Sequence, residues 1–153
     1  MKALDAKAEE FQDVLKLGRT QLQDAVPMTL GQEFKGWSVT LGKDLDRMEQ
    51  LAVMFATVNL GGTAIGTGIN TDPKYTGIVM KRLAEVTGFD IKTAPDMIEA
   101  SSDMGDFMIF SGMLRRLAVK LSKIANDLRL LSSGPRGGFN DLNLPAVQPG
   151  SSM

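Results

Sequence analysis

The chain has 153 residues, 43% of them hydrophobic, and 17 Lys and Arg against 18 Asp and Glu give a formal net charge of −1. That balance, with basic residues dispersed among acidic ones, argues against nucleic-acid binding as its main business. It contains no Cys and no His, which excludes disulfides and removes both the commonest nitrogen metal ligand and the commonest general base. Any chemistry must then use hydroxyls, amides, carboxylates, lysines or arginines. The length suits about one domain. The opening residues MKALDAKAEEF lack the apolar core of a signal peptide, and no apolar run of about 18 residues occurs. A protein with no membrane contact and a cytoplasmic location is expected.

Residues 1–17 predict a helix, since Leu4, Ala8, Phe11 and Leu15 recur at near-helical spacing and Gly18 would stop it. Gly18 to Pro27 has no helical period and reads as a loop. Its Arg19, Thr20, Gln21, Gln23 and Asp24 suit an ordinary connection or a set of hydrogen bonds to an anion, and the residues alone leave both open. Thr29 followed by Gln32 has the capping-box pattern, so a helix starts near Leu30. Its buried side is expected to carry Phe34, Trp37, Leu41, Leu45, Met48, Ala52 and Phe55, with Val58 near its end.

Gly61, Gly62, Gly66 and Gly68 then crowd the stretch Asn59 to Asn70. This lets the backbone take positive φ and approach a neighbour closely, as in a tight inter-helix turn or a substrate-facing loop. The run lacks the lysine of a phosphate loop and is not framed by strand and helix, so nucleotide binding is not indicated. A short helix is predicted over Thr76 to Thr87, closed by Gly88. After an irregular stretch from Phe89, Pro95-Asp96 opens the run into the next helix, with Glu99 near its first turn.

That next helix organises the chain. Phe107, Phe110, Leu114, Leu117, Leu121, Ile124, Leu128 and Leu131 alternate three and four apart, a period that favours left-handed packing against other long helices. Arg115, Arg116, Lys120, Lys123, Asp127 and Arg129 occupy its other side. Gly105 and Gly112 lie inside the pattern, where close helix crossing would explain them. About 40 Å of helix needs long partners, from this chain or from copies of it. The stripe calls for no cofactor. The expected fold is an all-α, long-helix bundle. Ser132 to Phe139 must end the helix, and the irregular remainder finishes at Gly150-Ser151-Ser152-Met153 without a packing element, which suggests a fragment.

Three stretches together resemble the aspartase/fumarase superfamily. Gly18 to Phe34 (GRTQLQDAVPMTLGQEF) resembles its second conserved block, Gly61 to Asn70 (GGTAIGTGIN) its glycine-rich link, and Ser132 to Ser152 the approach to its signature loop. The resemblance spans essentially the whole chain in family order. Gln21 and Ala25-Val26-Pro27 are more similar to aspartate ammonia-lyases than to class II fumarases, which typically carry histidine at the former position. Adenylosuccinate and argininosuccinate lyases look less alike in these blocks.

The resemblance implies a partial central helical domain over 1–153, without the N-terminal and C-terminal domains. It implies a homotetramer whose pooled helices form one bundle, with active sites where three subunits meet. The implied reaction is reversible elimination of ammonia from L-aspartate to fumarate, with no organic cofactor. Some family members respond to divalent metal, but no metal-binding cluster is evident in this sequence. By position in the family motifs, Ser151 corresponds to the catalytic base, Ser152 supports its turn, and Thr20 and Gln21 contact substrate carboxylate. Arg19 and Asp24 would only order the loop. Removing the Cβ proton builds a dianionic aci-carboxylate, which preorganised N–H and O–H donors stabilise. A serine base needs its oxyanion stabilised as well. The sequence departs from the family by stopping before the lysine and asparagine of the signature and by lacking the first conserved block. The 153 residues alone are therefore expected to be inert, and as an isolated chain they could serve as a structural helical oligomerisation module. The runner-up reading for the whole enzyme is a class II fumarase.

Overall fold

The structure, a computed structural model, describes residues 1–146 and 150. It divides into two units. One comprises residues 1–43 with those from Arg116 onward, the other Asp44–Arg115. In chain order the elements are α1 (Lys2–Glu10), β1 (Leu15–Thr20), β2 (Gln23–Thr29), α2 (Leu30–Ala52), β3 (Thr57–Val58), α3 (Tyr75–Thr87), β4 (Lys92–Thr93) and α4 (Gly105–Leu131). Short 3₁₀ turns occupy Val53–Ala56 and Glu99–Ser101. The fold is mostly helical, but the two-stranded sheets β1-β2 and β3-β4 correct the all-α expectation.

In the first unit, α2 opens as its sequence dictates. The Thr29 amide donates to Gln32 Oε1 at 3.0 Å, and the Gln32 amide donates to Thr29 Oγ1 at 3.1 Å. Two donors of the first turn are thereby satisfied. Leu30, Phe34, Trp37 and Leu41 of α2 then pack with Ile124 and Leu131 of α4 into the core. Leu4 and Ala8 of α1, with Phe11 just past its end, cover it. Rings stack in series, Phe11 to Phe34 at 5.5 Å and Phe34 to Trp37 at 5.0 Å, in the tilted and edge-on geometries that the ring quadrupoles favour. Gly31 makes this approach possible, because a Cβ there would lie 2.4 Å from the Ala8 carbonyl oxygen. Its amide instead donates to the Phe11 carbonyl at 2.9 Å.

The helix expected over residues 1–17 stops at Glu10, and the expected loop Gly18 to Pro27 is the greater part of an antiparallel hairpin. The side-chain alternation in β1 is inverted relative to an ordinary half-buried strand. Lys16 and Gly18 face inward, while Leu15 is 78% and Leu17 42% exposed. Leu15, four residues after Phe11, imitates a continuation of the helical stripe of Leu4, Ala8 and Phe11. The pairing is also broken between Leu17 and Arg19, where Gly18 forms an irregularity in the ladder.

In the second unit, Phe55 meets Phe107 at 5.1 Å and Phe110 at 5.4 Å, both edge-on, and Met80, Ala94 and Met113 are buried. Helix α3 ends at Gly88, in the left-handed conformation with its amide on the Ala84 carbonyl, as the sequence predicts. Gly66 lies at φ +95°, and a Cβ there would come within 2.3 Å of the Met97 carbonyl oxygen. At Gly66 the glycine-rich run permits a close backbone approach. Pro95-Asp96 does not lead straight into α4. Asp96 Oδ1 accepts the amides of Ile98 and Glu99 and holds the 3₁₀ turn, and α4 begins afterwards at Gly105.

Helix α4 is continuous over 27 residues. Only part of its apolar stripe is covered by the described residues. Ile124 and Leu131 are buried, while Phe107, Leu114 and Leu121 are 56%, 44% and 49% exposed. On α2, Leu45 is likewise 47% exposed, a correction to its expected burial. A Cβ at Gly112 would meet nothing within 4 Å, so crossing by another helix of this chain does not account for that glycine.

Candidate active site

The hairpin closes at the pair Thr20 and Gln23, leaving Gln21 and Leu22 as its two-residue turn. Both take positive φ, 51° and 64°, as a type I′ turn demands because its twist matches that of the strands. Asn-Gly is the relaxed choice for such a turn. A non-glycine residue in this region costs on the order of 1 kcal/mol. Leu22 is 63% exposed, so burial does not offset the strain. Thr20 and Gln21 are also exposed. The tip thus offers a hydroxyl and an amide on a backbone held out of its resting conformation, a condition that concentrates at functional sites.

The strands behind the tip carry charged side chains that are much less accessible. Lys16 pairs with Glu33 of α2 and lies 3.6 Å from Asp141, with its side chain only 6% exposed. The Arg19 guanidinium donates to Asp141 Oδ2, and the two side chains are 16% and 15% exposed. Arg19 Cζ lies 3.9 Å from the centroid of the Phe139 ring, a cation–π contact. Asp24, the cross-strand partner of Arg19, reaches Nε at 3.4 Å, too long and too exposed to compete with Asp141. The hydrogen bond from Arg19 to Asp141 raises the guanidinium pKa further above its ordinary value, against the opposing effect of burial. Arg19 therefore has its charge matched within the protein, in keeping with the loop-ordering role expected for it and Asp24.

Asp141 and Phe139 are themselves placed by the end of α4. The Asp141 amide donates to the Leu131 carbonyl at 2.9 Å and the Asn140 amide to that of Ser133 at 2.8 Å. The Phe139 amide reaches Ser133 Oγ at 3.1 Å, and Leu142 packs onto the core. The chain after α4 thus folds back onto carbonyls that the helix end leaves unpaired. Sequence reading missed Lys16, Glu33, Phe139 and Asp141. Arg19 and Asp141 are 122 residues apart, and no local spacing marks such a pair.

Ser151, the expected base, and Ser152 lie outside the described residues. Thr20 and Gln21 are brought together at the tip. The second unit has cavities among its described residues. One of about 230 Å³ is bordered by Phe55, Asn59, Phe107 and the acidic Glu99, Asp103 and Asp106, a lining that repels a dicarboxylate. Another of about 440 Å³ is bordered by Asn59, Thr63, Thr71 and Tyr75. Among the described residues no group of three or more Asp and Glu is placed to hold a metal ion, and no helix is long and apolar enough to cross a membrane.

A family model described as Lyase matches residues 1–153. The chain is 65% identical over 154 residues to an aspartate ammonia-lyase of Pseudomonas aeruginosa, covering 100% of this chain and 32% of that protein. To the Escherichia coli K12 aspartate ammonia-lyase it is 58% identical over 149 residues, covering 97% and 31%. Among solved structures, a fumarate lyase:delta crystallin from Brucella melitensis bound to cobalt superposes with a TM-score of 0.94 at 58% identity, covering 99% of this chain and 33% of that one. A class II fumarase from Schistosoma mansoni superposes at 0.88 with 33% identity, covering 99% and 35%. The chain spans about a third of the length of these relatives. Its match along the whole family model, together with these superpositions, makes the chain a member of the aspartase/fumarase superfamily of lyases, nearer in sequence to the aspartate ammonia-lyases than to the class II fumarase.

Proposed function

We propose that this chain supplies part of the active site of an aspartate ammonia-lyase, which reversibly eliminates ammonia from L-aspartate to give fumarate. The observation that carries the proposal is the strained tip bearing Thr20 and Gln21, in a chain 65% identical to an aspartate ammonia-lyase. In this reading the Thr20 hydroxyl and the Gln21 amide donate to a substrate carboxylate. As the Cβ proton leaves, that carboxylate gains charge, and fixed donors stabilise the developing aci-carboxylate more than the ground state. With Arg19 already matched by Asp141, neutral dipoles do this work at the tip. Ser151 takes the proton, and Ser152 supports its turn.

A homotetramer with a cytoplasmic location is proposed for the full-length lyase. The exposed Phe107, Leu114 and Leu121 on α4 support association between copies, since such a stripe is suited to burial against other helices. The 153 residues alone are proposed to be inactive, because the relatives are about three times as long. Initial rates of fumarate formation from L-aspartate and from malate by the full-length lyase carrying this chain test the proposal. Turnover of aspartate in preference to malate is expected. Preference for malate would make it a fumarase instead.

A further inference from the structure

We propose that Arg19 and Asp141 are a positioning pair for the reaction proposed above, on which this inference rests. Their ion pair, stacked on Phe139, fixes the angle at which the hairpin tip offers Thr20 and Gln21 to the substrate. The tip cannot orient itself. Gln21 and Leu22 both sit at positive φ and Leu22 is 63% exposed, so the described residues cover little of the turn. Strained turns persist where their surroundings over-determine them, and here the nearest such surroundings begin one residue before Thr20.

Arg19 is held on two sides, by Asp141 and by the Phe139 ring at 3.9 Å. Asp141 is held in turn by its amide on the Leu131 carbonyl at 2.9 Å. Lys16 couples the same carboxylate to Glu33 of α2. The hairpin is therefore tied to α2 and to the end of α4, rather than anchored only by its own ladder. Successive strand residues point to opposite faces, so the Arg19 side chain leaves the ladder on the face away from Thr20. It acts through the backbone and is not itself a ligand for the carboxylate. The guanidinium reaches Asp141 Oδ2 through one nitrogen while the group lies over the Phe139 ring, a combination that a lysine ammonium does not reproduce.

The test is steady-state kinetics of the full-length lyase with L-aspartate for Arg19→Lys, Arg19→Met, Asp141→Asn, Asp141→Glu and the double variant Arg19→Met/Asp141→Asn. Misplaced donors should lower kcat by roughly 10- to 100-fold in Asp141→Asn, with KM changed by less than about threefold. Asp141→Glu should recover part of the loss, and the double variant should be no worse than the poorer single one. Wild-type kcat in the single variants, or a double loss equal to the product of the single losses, would overturn the pair. So would a raised KM at unchanged kcat in the Arg19 variants, the mark of direct substrate binding. Should Arg19→Met fail to fold, Arg19→Lys and the Asp141 variants decide the matter. Amide hydrogen exchange over Arg19 to Asp24 is an independent readout. It should quicken in Asp141→Asn while the α2 amides stay unchanged, and unchanged exchange at the tip would overturn the pair whatever the activity. A wild-type enzyme that ignores aspartate defeats the functional reading alone. Active wild type with unaffected variants defeats the pair alone.

Discussion

Replacing Phe34 by alanine removes the ring that joins α1 to the core. Phe34 is 7% exposed and lies between Phe11 at 5.5 Å and Trp37 at 5.0 Å. Truncating a buried phenylalanine costs about 3–5 kcal/mol through lost transfer energy and the cavity left behind, which includes two ring pairs of about 0.5–1.5 kcal/mol each. For a chain of this length the melting temperature should fall by on the order of 10 °C. Leu45 belongs to the same apolar stripe of α2 but is 47% exposed. Its alanine variant should change stability by less than about 1 kcal/mol. The assay is denaturant unfolding of the 153-residue chain at low concentration, followed by fluorescence of its single tryptophan, Trp37. Equal losses at the two positions would refute the reasoning, because burial and not heptad position is what separates them.

Further outcomes follow from other parts of the fold. Thr29→Ala should cost about 1 kcal/mol in the same denaturant titration, since it removes one of the two capping-box bonds at the start of α2. Gly66→Ala should destabilise the second unit and raise amide exchange around Met97, because the new Cβ would meet backbone there. Asp5 is held below its ordinary pKa first by the hydrogen bond from Lys35, then by one from Ser38. A lowered folded-state pKa means that its contribution is fully present above the unfolded value, near 4, and is lost as pH falls through the folded one. Melting curves of wild type and Asp5→Asn should therefore differ at neutral pH and converge in acid. Leu114→Ser with Leu121→Ser should weaken self-association in sedimentation without changing the helical signal, as both side chains are exposed in the chain by itself.

Much of the helical architecture was legible in the residues, because it is set locally. The Thr29–Gln32 box, the Gly88 cap and the three-and-four spacing along α4 each act within a few residues of themselves. The hairpin was not legible. Its turn is Gln-Leu, where a turn signal would be Asn-Gly, and its exposed Leu15 imitates a continuation of the helical stripe. What separates buried from exposed positions on α4 is also hidden, because the spacing is uniform while the cover that this chain provides is not. The roles proposed for the tip residues Thr20 and Gln21 rest on resemblance. The cluster beneath them joins residues as far apart as Arg19 and Asp141, which only the folded chain brings together.

The central claim is that the hairpin tip stabilises charge developing on a substrate carboxylate. Its most direct measurement is the rate of fumarate formation from saturating L-aspartate by the full-length lyase carrying Thr20→Val, a change that keeps the shape and removes the hydroxyl. Loss of one such donor should lower kcat by roughly 10²- to 10³-fold with the fold intact. An unchanged kcat would contradict the account.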